Sequence, residues 1–422
     1  MQDPLISLKS GSRRAAVILI AGALIALLYF PVKWAFGHAV AVNAESAEVA
    51  AFGIGFAPDD ARARFDHALL LEQTLLPGDQ ELAIQEFEAA VRLSPNNYVY
   101  WLYLGNALER AGDPERAEPS LRRALELAPN YARVQWALGN LLLRQGRVDE
   151  AFELVRRAVS QDGKYADPAS VLAWQLFDKD IGRVNEILGD SPAVHASLAA
   201  ILASEGRFDD AVAAWRRLPI QGDNSPFHEK GRAIFARLFD AGRFTAAIEV
   251  GKSVGAVEDD VRSGSVTNGG FESALSAADG RGFTWAIADG DDPRVGLNEG
   301  QKHSGKYSLL MSFSPGGRGF RPVVQRVGLE WTGIYVLEFY YRSELKGNST
   351  PVFEILIPGD TVPAARAQLQ PNEGWAGVRL PFTVPPGAEG VELRLSVEGC
   401  QPQDCSFTGN IWFDDFSMTF EQ

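Results

Sequence analysis

The string GQKHSGK, from Gly300 to Lys306, has the glycine-to-lysine spacing of a phosphate-cradling loop. Such a loop needs a Ser or Thr next, to hold magnesium, and then a helix; this chain has Tyr307 and an alternating strand pattern. GKSVG, from Gly251 to Gly255, centres Ser253 as a nucleophile elbow would, yet it ends a helical pattern where the elbow requires a preceding strand. His38, His67, His195, His228 and His303 are scattered, and none forms an HExxH pair for zinc. Asp291 and Asp292 are adjacent, but glycoside hydrolysis needs two carboxyls across a cleft, which adjacency does not supply. Cys400 and Cys405 share one polar loop, CQPQDC, a spacing that suits a local disulfide in an oxidising compartment. No catalytic residue is assigned, and the sequence reads as a binding protein rather than an enzyme.

The elements that carry these strings begin with a tether. Ala15 to Val32 is an uncharged apolar run close to the length that crosses a bilayer, with Lys33 able to snorkel at its end. Lys9, Arg13 and Arg14 precede it and Glu45 and Glu48 follow, so the positive-inside rule leaves the N-terminus in the cytoplasm. Tyr29, Phe30 and Trp34 fall where an outer aromatic belt would lie. A signal peptide cut between Ala39 and Ala44 is the alternative. The formal net charge of -14 offers no footprint for nucleic acid, and 422 residues exceed one hydrophobic core.

From Leu69 to Lys252 apolar residues recur at helical spacing with a period of 34: Leu104, Gly105, Leu108, Ala117 and Ala124 return as Leu138, Gly139, Leu142, Ala151 and Ala158. The same shift backward reaches Ala83, Phe87, Ala90 and Pro95. GRVDEA at Gly146 is echoed by GRFDDA at Gly206 and GRFTAA at Gly242. This pattern resembles the tetratricopeptide repeat, a pair of antiparallel helices, whose stacking creates a groove for a protein partner. Asn106, Arg110, Asn140 and Arg144 lie on the polar face of the first helices and are the groove candidates; Trp101 reads as core.

After a polar linker the pattern becomes short alternating runs: YSLLMSF, VVQRVGL, YVLEFYYRSE, VFEILIP, VELRLSVEG and NIWFDDFSMTF. With VTNGGFE (Val266 to Glu272), HSGKYSLLMSF (His303 to Phe313) and WFDDFSM (Trp412 to Met418), the stretch 265–421 resembles jelly-roll carbohydrate-binding modules of families 4, 9 and 22. The resemblance implies a structural calcium, with Glu272 and Asp415 as ligands backed by Asn268 and Asp414; a solvated terminal strand is the alternative for the Asp pair. It also implies sugar rings stacked on aromatic planes, with Trp285, Tyr340, Trp375 and Trp331 available. Alternation places Tyr335, Leu337, Phe339 and Tyr341 on one face of their strand, and Glu338, Tyr340 and Arg342 with Val336 on the other.

The fold class expected is therefore multidomain α plus β: an N-terminal transmembrane helix, an α-solenoid of repeat hairpins and a C-terminal antiparallel β-sandwich. The boundaries are a cytoplasmic tail 1–14, membrane helix 15–36, linker 37–60, repeats 61–255, linker 256–264 and sandwich 265–422. The expected role is a scaffold of the bacterial inner membrane, N-terminus inside and bulk periplasmic, engaging a protein and a polysaccharide in envelope glycan assembly, export or attachment. A purely protein-binding assembly factor and, further off, a glycan-processing enzyme are the alternatives.

Overall fold

The computed structural model describes residues 11–74, 76, 78–219, 225–277, 281–287, 293–314, 322–347, 349–398 and 407–421. The chain divides into two compact units, Met1–Asp190 and Ser191–Gln422. The sites expected at Lys9, at Asp291 and Asp292, and at Cys400 and Cys405 lie outside the described residues, as does the Arg13 side chain.

The first unit is a series of helical hairpins. α1 (Gly11–Val42) pairs with α2 (Ala47–Phe56), α3 (Ala61–Thr74) with α4 (Asp79–Leu93), and α5 (Tyr98–Arg110) with α6 (Pro114–Leu127). α7 (Ala132–Arg144) and α8 (Val148–Gln161), then α9 (Ala166–Leu176) and α10 (Ile181–Leu188), complete it. The stretch Arg14–Val42 of α1 is long and apolar enough to cross a membrane, and its apolar window is not buried by the protein.

The 34-residue period becomes a core. Leu104, Leu108, Leu138 and Leu142 from first helices meet Ala117, Ala124 and Ala151 from second helices, all buried. A Cβ on Gly105 would fall 2.5 Å from Leu121 Cγ, and one on Gly139 3.1 Å from Val155 Cγ2, so each pair closes where no side chain intervenes. Pro95 and Pro129 follow the second helices, and their carbonyls accept side-chain N–H bonds from Trp101 (2.8 Å) and Gln135 (2.7 Å), residues also 34 apart. Asn97 caps α5, accepting from the Val99 N–H, and Asp113 caps α6, accepting from the Arg116 N–H.

The second unit opens with two more hairpins, α11 (Pro192–Ser204) with α12 (Phe208–Trp215) and α13 (His228–Asp240) with α14 (Phe244–Ser253). Their spacing drifts from the repeat, but their turn does not. Gly112, Gly146, Gly206 and Gly242 all sit at φ between 73° and 79°. The next residue in each case, Asp113, Arg147, Arg207 or Arg243, donates its N–H to a leucine carbonyl five positions back at 2.9–3.0 Å. This closure of the helix end needs a left-handed residue, which explains why the glycine survives where other repeat residues do not.

Strands follow: β1 (Ser276–Ala277), β2 (Ala286–Ile287), β3 (Arg294–Asn298), β4 (Ser308–Phe313), β5 (Val323–Gly328), β6 (Gly333–Ser343) and β7 (Lys346–Gly347). β8 (Thr350–Leu356), β9 (Ala365–Gln368), β10 (Ala376–Val384), β11 (Gly390–Glu398) and β12 (Phe407–Glu421) complete two sheets, ordered β1-β2-β5-β11-β8-β9 and β10-β6-β12-β4-β3. Apart from the two-residue parallel pair β1/β2, the pairings described are antiparallel. Alternation holds in β6: Tyr335, Leu337, Phe339 and Tyr341 face the shared core with Phe353, Phe413 and Phe416, while Glu338 and Tyr340 face out. β3 and β10 escape the strand pattern because Gly296 interrupts one and Gly377 and Pro381 the other; both are edge strands, where proline is tolerated.

α14 rests on the sandwich within this unit. Thr245 Oγ1 donates to the carbonyl of Leu329 or Glu389, at 2.9 and 3.1 Å, Arg243 bridges Asp209 and Glu389, and Phe283 packs on Phe239 and Phe244. A Cβ on Gly390 would stand 2.5 Å from both Phe244 Cδ2 and the Val327 carbonyl oxygen. Gly390→Ala is expected to lower the stability of this unit by about 1–3 kcal/mol through overpacking, read from the urea midpoint. An unchanged midpoint would mean that α14 is not pressed against β11.

Candidate glycan face and repeat groove

The outward face of the sheet holding β6 gathers three rings from three segments. Tyr340 projects from the middle of β6 and is 38% exposed, and half-buried Trp375 stands just before β10. His303, from the loop before β4, stacks on Tyr340 at 3.7 Å and 12° and meets Trp375 at 5.7 Å and 64°. Of the charged residues expected beside them, Glu338 pairs with Arg379 at 3.3 Å. Arg342 pairs with Glu344 at 2.7 Å, donates to Gln301 at 2.9 Å and lies over the Trp412 ring.

Trp285 does not join this face. It is 2% exposed, with its ring 5.4 Å from Phe271 and 4.9 Å from Phe416, and so is a core residue rather than a platform. A lone tryptophan before a two-residue strand gives no alternation from which its direction could be read. Trp331 is exposed in the turn before β6.

Of the four residues expected to hold calcium, Glu272, Asp414 and Asp415 bond to the loop 303–307, in different states, and Asn268 does not. Asp414 is fully buried on β12, a central strand of its sheet and not a solvated edge. Its Oδ2 accepts from the His303 and Ser304 N–H groups at 2.8 and 3.2 Å, and its Oδ1 from the Asp415 N–H at 2.8 Å. Burial pushes this carboxyl above its ordinary value, and the three N–H bonds only partly offset that. Asn268 is spent on a turn, exchanging two 3.0 Å bonds with the Ser273 backbone.

A bulge after Asp414 turns Asp415 to φ 53°, aiming its carboxylate at Ser304 Oγ (2.7 Å) and His303 Nδ1 (2.6 Å). Glu272 Oε1 accepts from the Lys306 and Tyr307 N–H groups at 2.7 and 3.2 Å, and a Cβ on Gly305 would lie 2.0 Å from it. Glu272 and Asp415 both flank Gly270. Among the described residues no three His, Cys, Asp or Glu side chains gather for a metal, so a cation here would rest on two carboxylates and backbone oxygens. The same bonds aim His303 at Tyr340, a role the scattered-histidine reading missed. The signal lay in the string HSGKYS, whose turn-forming Ser-Gly marks a loop and not a strand.

In the repeats, Asn106 and Asn140 are half-buried on α5 and α7, while Arg110 and Arg144 are exposed at the helix ends. Neither arginine is an unpaired cation: Arg110 reaches back to Glu72, and Arg144 Nε lies 2.8 Å from Glu109. Both line a hollow of about 400 Å³ with Glu109, Leu141 and Gln145, and Arg110 also lines a second beside Leu71 and Glu72. Second helices are linked likewise by Arg116 to Glu88, Arg147 to Glu118 (2.7 Å) and Arg122 to Glu150 (2.6 Å).

The aromatic face of the sandwich and the hollow of the helical hairpins are two separate candidate binding surfaces. Residues 102–168, from α5 into α9, match the tetratricopeptide repeat family, and the second unit carries a sandwich of two mainly antiparallel sheets. Solved structures with similar stretches include MamA 41-end from Desulfovibrio magneticus RS-1, at 19% identity and TM-score 0.30 over 33% of this chain and 78% of that one. TmCBM61 in complex with β-1,4-galactotriose is 18% identical at TM-score 0.28, over 38% and 99% of the two chains. A CBM4 module is 16% identical at TM-score 0.28, over 36% and 98%. No curated protein matches the chain.

Trp285→Ala is expected to cost about 3–5 kcal/mol in urea unfolding, because it empties the core. Trp375→Ala should stay within about 1 kcal/mol of the parent, as befits a half-exposed ring. Equal losses for the two would show that Trp375 is packing and not presentation.

Proposed function

We propose that this chain is a membrane-anchored scaffold, its N-terminus cytoplasmic and its bulk periplasmic, that holds a protein on its repeats and presents its sandwich to an envelope glycan. Its expected setting is assembly, export or attachment of that polysaccharide at a bacterial inner membrane. The observation that carries the glycan half is the outward cluster of Tyr340, Trp375 and His303, aromatic surface held out of the core on a module of the carbohydrate-binding kind. Aromatic planes desolvate the apolar C–H faces of sugar rings, and the flanking Glu338 and Arg342 offer acceptors and donors to hydroxyls. The α1 helix supplies the anchor and the repeat groove the protein contact.

A purely protein-binding role is favoured by two observations: Trp285 is core, and His303 covers one face of Tyr340. The full chain in detergent, titrated against a panel of bacterial polysaccharides, separates the readings. Binding that falls tenfold or more in Trp375→Ala, about 1.4 kcal/mol, supports the glycan face. No binding across the panel leaves the protein scaffold.

Calcium remains part of the proposal through Glu272 and Asp415 alone. Because a cation bound only by the folded state stabilises it by mass action, added calcium should raise the melting temperature, chelation should reverse the rise, and Glu272→Gln should abolish it. A melting temperature indifferent to calcium would remove the ion from the proposal.

A further inference from the structure

The α1–α2 hairpin carries aromatic surface that no part of the described protein covers. α2 is pinned to α1 at small residues: a Cβ on Gly53 would lie 2.6 Å from the Ala41 nitrogen, and one on Gly37 2.7 Å from the Gly53 carbonyl oxygen. That contact buries Ala41, Ala50 and Ala57 completely. The other side of the hairpin presents Phe36 (50% exposed), Val49 and Phe52 (58% exposed), while Trp34 is exposed on a different face of α1, stacked on His38 at 5.3 Å. Phe56 joins the patch, its ring edge-on to Phe36 at 5.3 Å and to Phe52 at 5.1 Å. Glu48, in the first turn, is the only charged residue of α2.

Position on the hairpin identifies what covers this patch. α1 runs from Gly11 to Val42 as one helix, so the stretch gripping α2 continues directly from the apolar run. α2 is antiparallel, since Gly37 meets Gly53 and Ala57 while Gly53 meets Ala41. Its Phe56 end therefore lies beside Phe36, toward the membrane, and Glu48 lies at the far end. At 1.5 Å per residue, Phe36 stands about 5 Å beyond Lys33. The zone between hydrocarbon and water on each side of a bilayer is roughly 5–8 Å deep and favours aromatic rings.

We infer that Trp34, Phe36, Phe52 and Phe56 form a collar seated in the lipid headgroup region of the membrane that α1 crosses. This rests on the membrane anchor of the proposed function and adds a second attachment: α2, packed antiparallel along α1, sets its Phe56 end into the bilayer surface and fixes the first hairpin there. Trp34 sits deepest, about 3 Å nearer the span than Phe36; Phe36 and Phe56 follow, and Phe52 lies at the rim, one turn further out.

The test uses the full chain in phosphatidylcholine vesicles, with Cys400→Ser and Cys405→Ser as background. A fluorescent label is placed by Phe36→Cys, Phe52→Cys or Phe56→Cys, with Leu27→Cys as reference in the span and Tyr131→Cys as reference in the repeats. The collar predicts that labels at 36 and 56 are quenched by lipids carrying a nitroxide near the headgroup and are several-fold less open to iodide than the label at 131. Labels at 36, 52 and 56 as open to iodide as 131, with 27 still lipid-quenched, would overturn the collar and leave the anchor. Shielding of all three from both quenchers would mean that protein covers the patch, which also overturns it. A label at 27 open to iodide would instead overturn the anchor itself.

Discussion

Close approach of two backbones at positions without a Cβ is the constraint on which this molecule depends. A repeat hairpin has too little surface to form a core of its own, so its two helices must come near enough for the next hairpin to seal the gap. Gly105 and Gly139 allow that approach in the clearest repeats, and Gly37 with Gly53 allows it where α2 grips the apolar helix. Gly390 allows the same where α14 meets a strand end. The repeats, the α1–α2 hairpin and the seat of the last hairpin thus share one device, in which dispersion contacts across a gap replace side chains that would hold the elements apart.

Charge plays a different part. The arginine–glutamate pairs between successive second helices recur at sequence separations of 28 or 29 and lie mostly at the surface. Each contributes little to stability in water. Their regular placement sets register, since a slipped helix would bring like charges together. With a net charge of -14, much of the arginine content is committed to such pairs, Arg110 and Arg144 among them. The hollow beside these arginines is therefore neutralised and partly apolar rather than a bare cationic face.

The period of 34 and the alternation of β6 were readable because each repeats a simple geometric rule over many residues. The partners of Arg110 and Arg144 were not, because Glu72 and Glu109 stand 38 and 35 residues away, off the repeat period. Trp285 and Trp375 are the same residue type in similar polar surroundings, and only the tertiary fold buries one and presents the other. The Asp pair shows the limit most plainly. Adjacent in sequence, Asp414 and Asp415 are separated in role by one bulge, which turns the first toward three N–H groups and the second toward His303.

That bulge links the interior of the sandwich to its outer face. Asp414 is costly to bury as a carboxylate, and the N–H groups that compensate it come from the loop bearing His303. Ordering that loop holds the imidazole against Tyr340 through Asp415, so the aromatic face is set by core hydrogen bonds and not by contacts among the rings alone. A surface fixed in this way loses little side-chain freedom when something binds. It is also intolerant of shape change: a ligand that needed both faces of Tyr340 would have to displace His303 and leave the buried clamp strained. Ring surface that can be reached without disturbing Asp415 therefore lies on the Trp375 side of the face.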